Sequence, residues 1–147
     1  MVWGWTKLLE KARESNDVLI GEDHFTNEIP YFTSALASQI KFDNFFCEID
    51  PFTAGILEEK IKTLPKNDLQ EYVNKYGNTF SFYAFTPEFA LLKQLAKSNT
   101  RIYGTDQILL VGEQVICSEL YKITKNKKAR DIYLDIEKNS KTNLKVS

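Results

Sequence analysis

Three times along this chain a short β-prone run ends in a polar, carboxylate-bearing turn and gives way to helical periodicity. That recurrence constrains the fold more than any other feature. The first run, Val18-Leu19-Ile20, closes on Gly21-Glu22-Asp23-His24. Ile29, Phe32, Leu36 and Ile40 follow at helical spacing, with Thr26 or Asn27 placed to cap the helix. The second run is Phe45 to Asp50, where Asp50 before Pro51 predicts an N-cap and a proline in the first turn of a helix reaching about Lys62. The third, Arg101 to Asp106, comes after a helix that Thr86 and Pro87 start and that carries Phe89, Leu92 and Leu95 on one face. Strands alternating with helices predict an α/β fold: a parallel sheet of βα units with helices packed on it.

A chain of 147 residues with 43% hydrophobic and 13% aromatic residues suffices for one core. Residues 1–138 are therefore read as a single α/β domain and 139–147, with little to bury, as a frayed or disordered tail. The stretch Ile61–Phe85 is expected to be an irregular insertion, broken by Pro65 and Gly77, with Phe80, Phe82, Tyr83 and Phe85 as core aromatics. Val111, Val115 and Ile116 suggest a further helix. A net charge of −1, from 19 basic and 20 acidic residues, gives no electrostatic basis for a nucleic-acid partner. No apolar run is long enough to span a bilayer, so no membrane partner is expected. Met1–Trp5 lead directly into charged residues without the apolar region of a secretory signal, which predicts a cytoplasmic protein, or an exported one if the true N-terminus lies upstream. Cys47 and Cys117 fit no metal or redox spacing and are read as buried thiols.

In open parallel sheets ligands bind outside the carboxyl ends of the strands. Those ends here carry Glu22 and His24, then Glu48 and Asp50, then Asp106. Glu48 stands out, because a strand covered on both faces rarely spends a position on a carboxylate. Strand alternation puts Phe46, Glu48 and Asp50 on one side and Phe45, Cys47 and Ile49 on the other. Asp50 is accounted for as a helix cap, Glu28 by its place in a first helical turn, and Glu22 also suits the positive end of the following helix. Asp106 divides evenly between turn chemistry and a site role.

Gly21-Glu22-Asp23-His24 with Glu28 at H-x-x-x-E spacing, Phe46-Cys47-Glu48, and Tyr103-Gly104-Thr105-Asp106 together resemble the erythromycin esterase and ChaN-like superfamily, with the Tiki/TraB branch more distant. The likeness runs from about Asp17 to Gln107. It implies the N-terminal part of a larger mixed α/β domain and a catalytic set of His24, Glu22, Glu48 and Asp106. His24 would be the general base that activates water for ester or amide hydrolysis, with Glu22 and Glu48 orienting it. The superfamily includes macrolide-lactone hydrolases, metal-dependent peptidases and haem-uptake proteins. Its esterases use a later histidine as well, whereas His24 is the single histidine here, so the domain reads as incomplete and turnover by this chain alone is open. No cofactor is required by the sequence. A divalent metal on Glu22, His24 and Glu48 is the competing mechanism. A module that binds haem or a metal without turnover is the alternative from another class. The expected partner is a small-molecule substrate or ligand; the oligomeric state is open, an exposed sheet edge being one route to association.

Overall fold

A computed structural model describes residues 3–143 apart from Glu22 and Phe25; of Asn78, Phe82 and residues 141–143 only the backbone is described. In chain order the elements are α1 (Trp3–Glu14), α2 (Glu28–Ala37), β1 (Asn44–Cys47), α3 (Pro51–Thr63), α4 (Lys66–Tyr76), a 3-10 segment (Gly77–Ala84), α5 (Thr86–Lys97), β2 (Arg101–Gly104), a 3-10 turn (Leu110–Gly112), α6 (Glu113–Ile123) and α7 (Lys127–Asn143). Helices dominate, and the sheet among the described residues is one parallel pair, β1 with β2, in the register Phe45 to Ile102 and Phe46 to Tyr103.

The α/β expectation therefore holds only in its coarse form. Val18-Leu19-Ile20 forms no strand: Leu19 is 99% exposed and Val18 38%. β propensity describes how well a residue fits a half-buried pleated surface, and this run has no such surface against it. The other two βα junctions form as read. Asp50 caps α3, its Oδ1 accepting from Phe52 N at 3.0 Å and Thr53 N at 2.9 Å, with Pro51 in the first turn. Asn27 precedes α2 without a side-chain cap bond.

Three helices exceed the expectation. α4 lies inside the stretch read as irregular; Leu69, Val73 and Tyr76 form its buried stripe, and Pro65 and Gly77 bracket the helix instead of interrupting it. α1 takes up the charged N-terminal stretch and buries Leu9. α7 carries the chain in helical form through Asn143, with Ser140 buried. It packs along α6 as a helical hairpin. Glu137 ties it to α4, accepting from Lys75 Nζ at 3.3 Å and from the Tyr76 hydroxyl at 3.2 Å.

The core gathers on one side of the strand pair. Cys47 and Ile102 meet Ala54, Leu57 and Ile61 of α3, Phe89 and Leu92 of α5, and Val73, Phe80 and Val115 in one cluster. On the other side Phe46 is 64% exposed and Tyr103 39%, their rings stacked at 5.2 Å. Both cysteines are buried, as read, Cys47 Sγ donating to Tyr103 O at 3.4 Å; burial, then the nearby Glu113 and Glu137 carboxylates, push the Cys117 thiol up.

Candidate functional site

The site is built where the two strands run out. Beyond the ladder the chains stay joined: Thr105 N and Oγ1 both donate to Cys47 O, at 3.0 and 3.1 Å, and Asp106 N donates to Ile49 O at 3.1 Å. Ile49 N bonds back to Cys47 O at 3.0 Å, which turns the chain sharply between β1 and the α3 cap. Glu48 projects from that turn into solvent, its side chain 63% exposed. The burial argument that drew attention to Glu48 is thus overturned. The carboxylate lies on an uncovered face and carries no desolvation penalty of the kind expected in a sheet covered on both sides.

His24 nevertheless reaches it. The imidazole Nε2 stands 3.1 Å from Glu48 Oε2, joining the loop after Val18-Leu19-Ile20 to the end of β1. The loop is closed by Thr26 Oγ1 donating to Asp23 O at 2.9 Å. The ring's Nδ1 is enclosed by protein, whereas the side chain as a whole is 37% exposed. Glu22, the second residue of that loop in the predicted set, lies outside the described residues.

Glu48, Asp50 and Asp106 do share one cleft, walled on the far side by Thr79, Ser81 and Gly112. Its volume is about 10 Å³, close to the least that holds one water and far too small to enclose a porphyrin. Asp50 spends its Oδ1 on the α3 cap, as expected of it. Asp106 accepts from Gln107 N at 2.7 Å, so it does turn chemistry and lines the cleft at once. No cluster of three or more His, Cys, Asp or Glu side chains arranged for a metal ion occurs among the described residues.

Thr79 and Ser81 were not anticipated. Ser81 adopts φ 51°, ψ −135°, a backbone region that costs a non-glycine residue on the order of 1–3 kcal/mol. Thr79 Oγ1 donates to Val111 O at 2.9 Å, fastening this segment to the loop before α6. Nothing local in Thr79-Phe80-Ser81 signals the approach, which depends on how α4 and α5 pack. A larger cavity of about 310 Å³ lies at the opposite ends of the strands, between the α2–β1 and α5–β2 connections. Lys41 is the one charged residue in its lining, so the candidate chemistry stays with the carboxyl ends.

Compared with protein-family models, with curated proteins and with solved structures, the chain gave no match.

Proposed function

We propose that the His24–Glu48 pair activates water for attack on an ester or amide carbonyl, giving a hydrolase-like site of the kind the erythromycin esterase and ChaN-like resemblance implies. The observation that carries the reading is the 3.1 Å contact between two side chains contributed by different segments of the chain. Nε2 faces the carboxylate and Nδ1 is enclosed, so water reaches the pair from the Glu48 side. The Glu48 carboxylate takes the water proton, while the imidazole N–H fixes its orientation and stabilises its charge. This moves the base role from His24, where the resemblance puts it, to Glu48, with His24 as the orienting partner. Asp106, Thr79 and Ser81 line the adjoining water-sized cleft and supply polar groups that hold the nucleophile.

The test is hydrolysis of an activated phenyl ester by the purified chain. Glu48→Gln and His24→Ala should each lower kcat/KM by about 100-fold or more, as removal of general-base assistance does, without a change in circular dichroism. Equal rates for wild type and Glu48→Gln overturn the proposal.

A further inference from the structure

We infer that the cavity at the amino ends of the strands is a binding site for a free α-amino acid with an apolar side chain. The inference is independent of the hydrolase reading, whose cleft lies at the other end of the strand pair. At about 310 Å³ the cavity falls at the small end of the roughly 300–1,000 Å³ common for ligand pockets, so its guest is a small molecule. Ser38, Gln39, Lys41 and Ser98 in its lining are exposed, which leaves it open to solvent.

The chemistry of the wall says which guest fits. Two helices end on it, α2 at Ala37 and α5 at Lys97, and each is followed by a serine of the lining. Helix C-termini carry partial negative charge and carbonyls that the helix itself leaves unpaired. The donors that could offset them are already spent inside the wall. The amides of Ser38, Gln39 and Ile40 turn back onto Ser34 O and Leu36 O, and those of Ser98 and Thr100 onto Gln94 O and Leu95 O. The hydroxyls do the same: Ser38 Oγ donates to Ala35 O at 2.7 Å, Ser98 Oγ to Gln94 O at 3.0 Å and Thr100 Oγ1 to Phe42 O at 2.8 Å. Each has one hydrogen, so toward the cavity these groups can only accept. A guest held there brings its own N–H donors, and positive charge on them suits the two helix ends. Lys41 makes the opposite demand. It is the one charged residue of the lining and pairs with no carboxylate among the described residues, so it takes an anion. Buried Leu95 and half-buried Ile40 and Phe42 offer an apolar surface between the two. An ammonium, a carboxylate and an apolar body on one small molecule make an α-amino acid; a peptide carries the two charges only at its opposite ends.

Titrating the whole chain with L-phenylalanine, followed by amide NMR shifts, tests this directly. The shifts should be confined to residues 38–42 and 95–100 and saturate with a Kd of about 1 mM or tighter. L-Phenylalaninamide lacks the carboxylate and N-acetyl-L-phenylalanine lacks the ammonium; each should bind at least about fivefold more weakly. Lys41→Met should weaken L-phenylalanine by a similar factor and abolish its advantage over the amide, and a melting curve checks that the variant, altered at an exposed position, is folded. Absence of a saturable shift in these residues up to about 10 mM overturns the inference. So does equal binding of either blocked form, which would reassign the cavity to one end of a peptide.

Discussion

At Gly104 a side chain has nowhere to go: a Cβ would stand 2.3 Å from Ile49 O and 2.4 Å from Asp50 O. Both neighbours are backbone, held by the Asp106 N–H and the α3 cap, so they cannot swing aside. Gly104→Ala should destabilise the chain by about 1–3 kcal/mol in urea unfolding and disturb the turn that carries Glu48. An unchanged midpoint would show that the two strand ends are not held this closely. Gly104 was visible in the sequence as part of Tyr103-Gly104-Thr105-Asp106, but the reason for it was not, because the crowding atoms belong to a segment more than fifty residues away. Asp50 is the opposite case. Asp-Pro at a strand-to-helix junction states its own function locally, and the cap bonds to Phe52 and Thr53 follow. Glu48 was singled out for burial, which it lacks, yet its contact with His24 brings together two of the residues chosen.

Among the elements, those with a local signature were legible: α3, α5, β1, β2 and, from Val115 and Ile116, the existence of α6. Those whose state depends on what lies alongside were not. Val18-Leu19-Ile20 has the composition of a strand, and α4 looked broken although Pro65 and Gly77 are its two ends. The exposure of Leu19 makes a sharp test. Leu19→Ser should alter stability by no more than about 0.5 kcal/mol, as exposed substitutions do. A loss of about 2–5 kcal/mol, typical of a truncated core leucine, would instead place this run inside a sheet. At the far edge of the strand pair, Glu58 of α3 accepts from Ile102 N at 2.9 Å, a side chain standing where a neighbouring strand's carbonyl would otherwise be. Burial pushes the Glu58 carboxyl up, but the hydrogen bonds from Lys62 and Ile102 and the charges of Lys62 and Arg101 outweigh it and hold it below the ordinary value.

Across the whole molecule, one polar cluster couples three helices. Glu119 of α6 accepts from Tyr72 of α4 at 3.1 Å and pairs with Lys60 of α3 at 3.3 Å and Lys122 at 2.7 Å. Burial raises its carboxyl, yet the bonds and charges of Lys122 and Lys60 pull further and leave it below the ordinary 4.5. Burial and Glu119 push the Tyr72 phenol far up, so it stays a donor throughout. A carboxyl depressed by folding stabilises fully above its unfolded value and loses that contribution as pH falls through the folded one. Stability should therefore drop below about pH 4.5, and Glu119→Gln should be weaker at neutral pH and show a flatter acid limb in urea titrations. Identical acid limbs would remove Glu119 from the account. No helix among the described residues is long and apolar enough to cross a membrane. None of this inter-helix wiring was readable beforehand, because Tyr72, Lys60 and Glu119 are distant in sequence and individually ordinary.

The Glu58 carboxylate has a last consequence, for how this small sheet can enlarge. In a parallel ladder alternate residues turn their amides to opposite flanks. Ile102 turns away from β1, and its amide is already taken. An incoming strand on that flank finds its first donor occupied and a charge in its path. Lateral growth is left with a single direction, outward from Asn44 and Phe46, which makes the pair a seed with one blocked end.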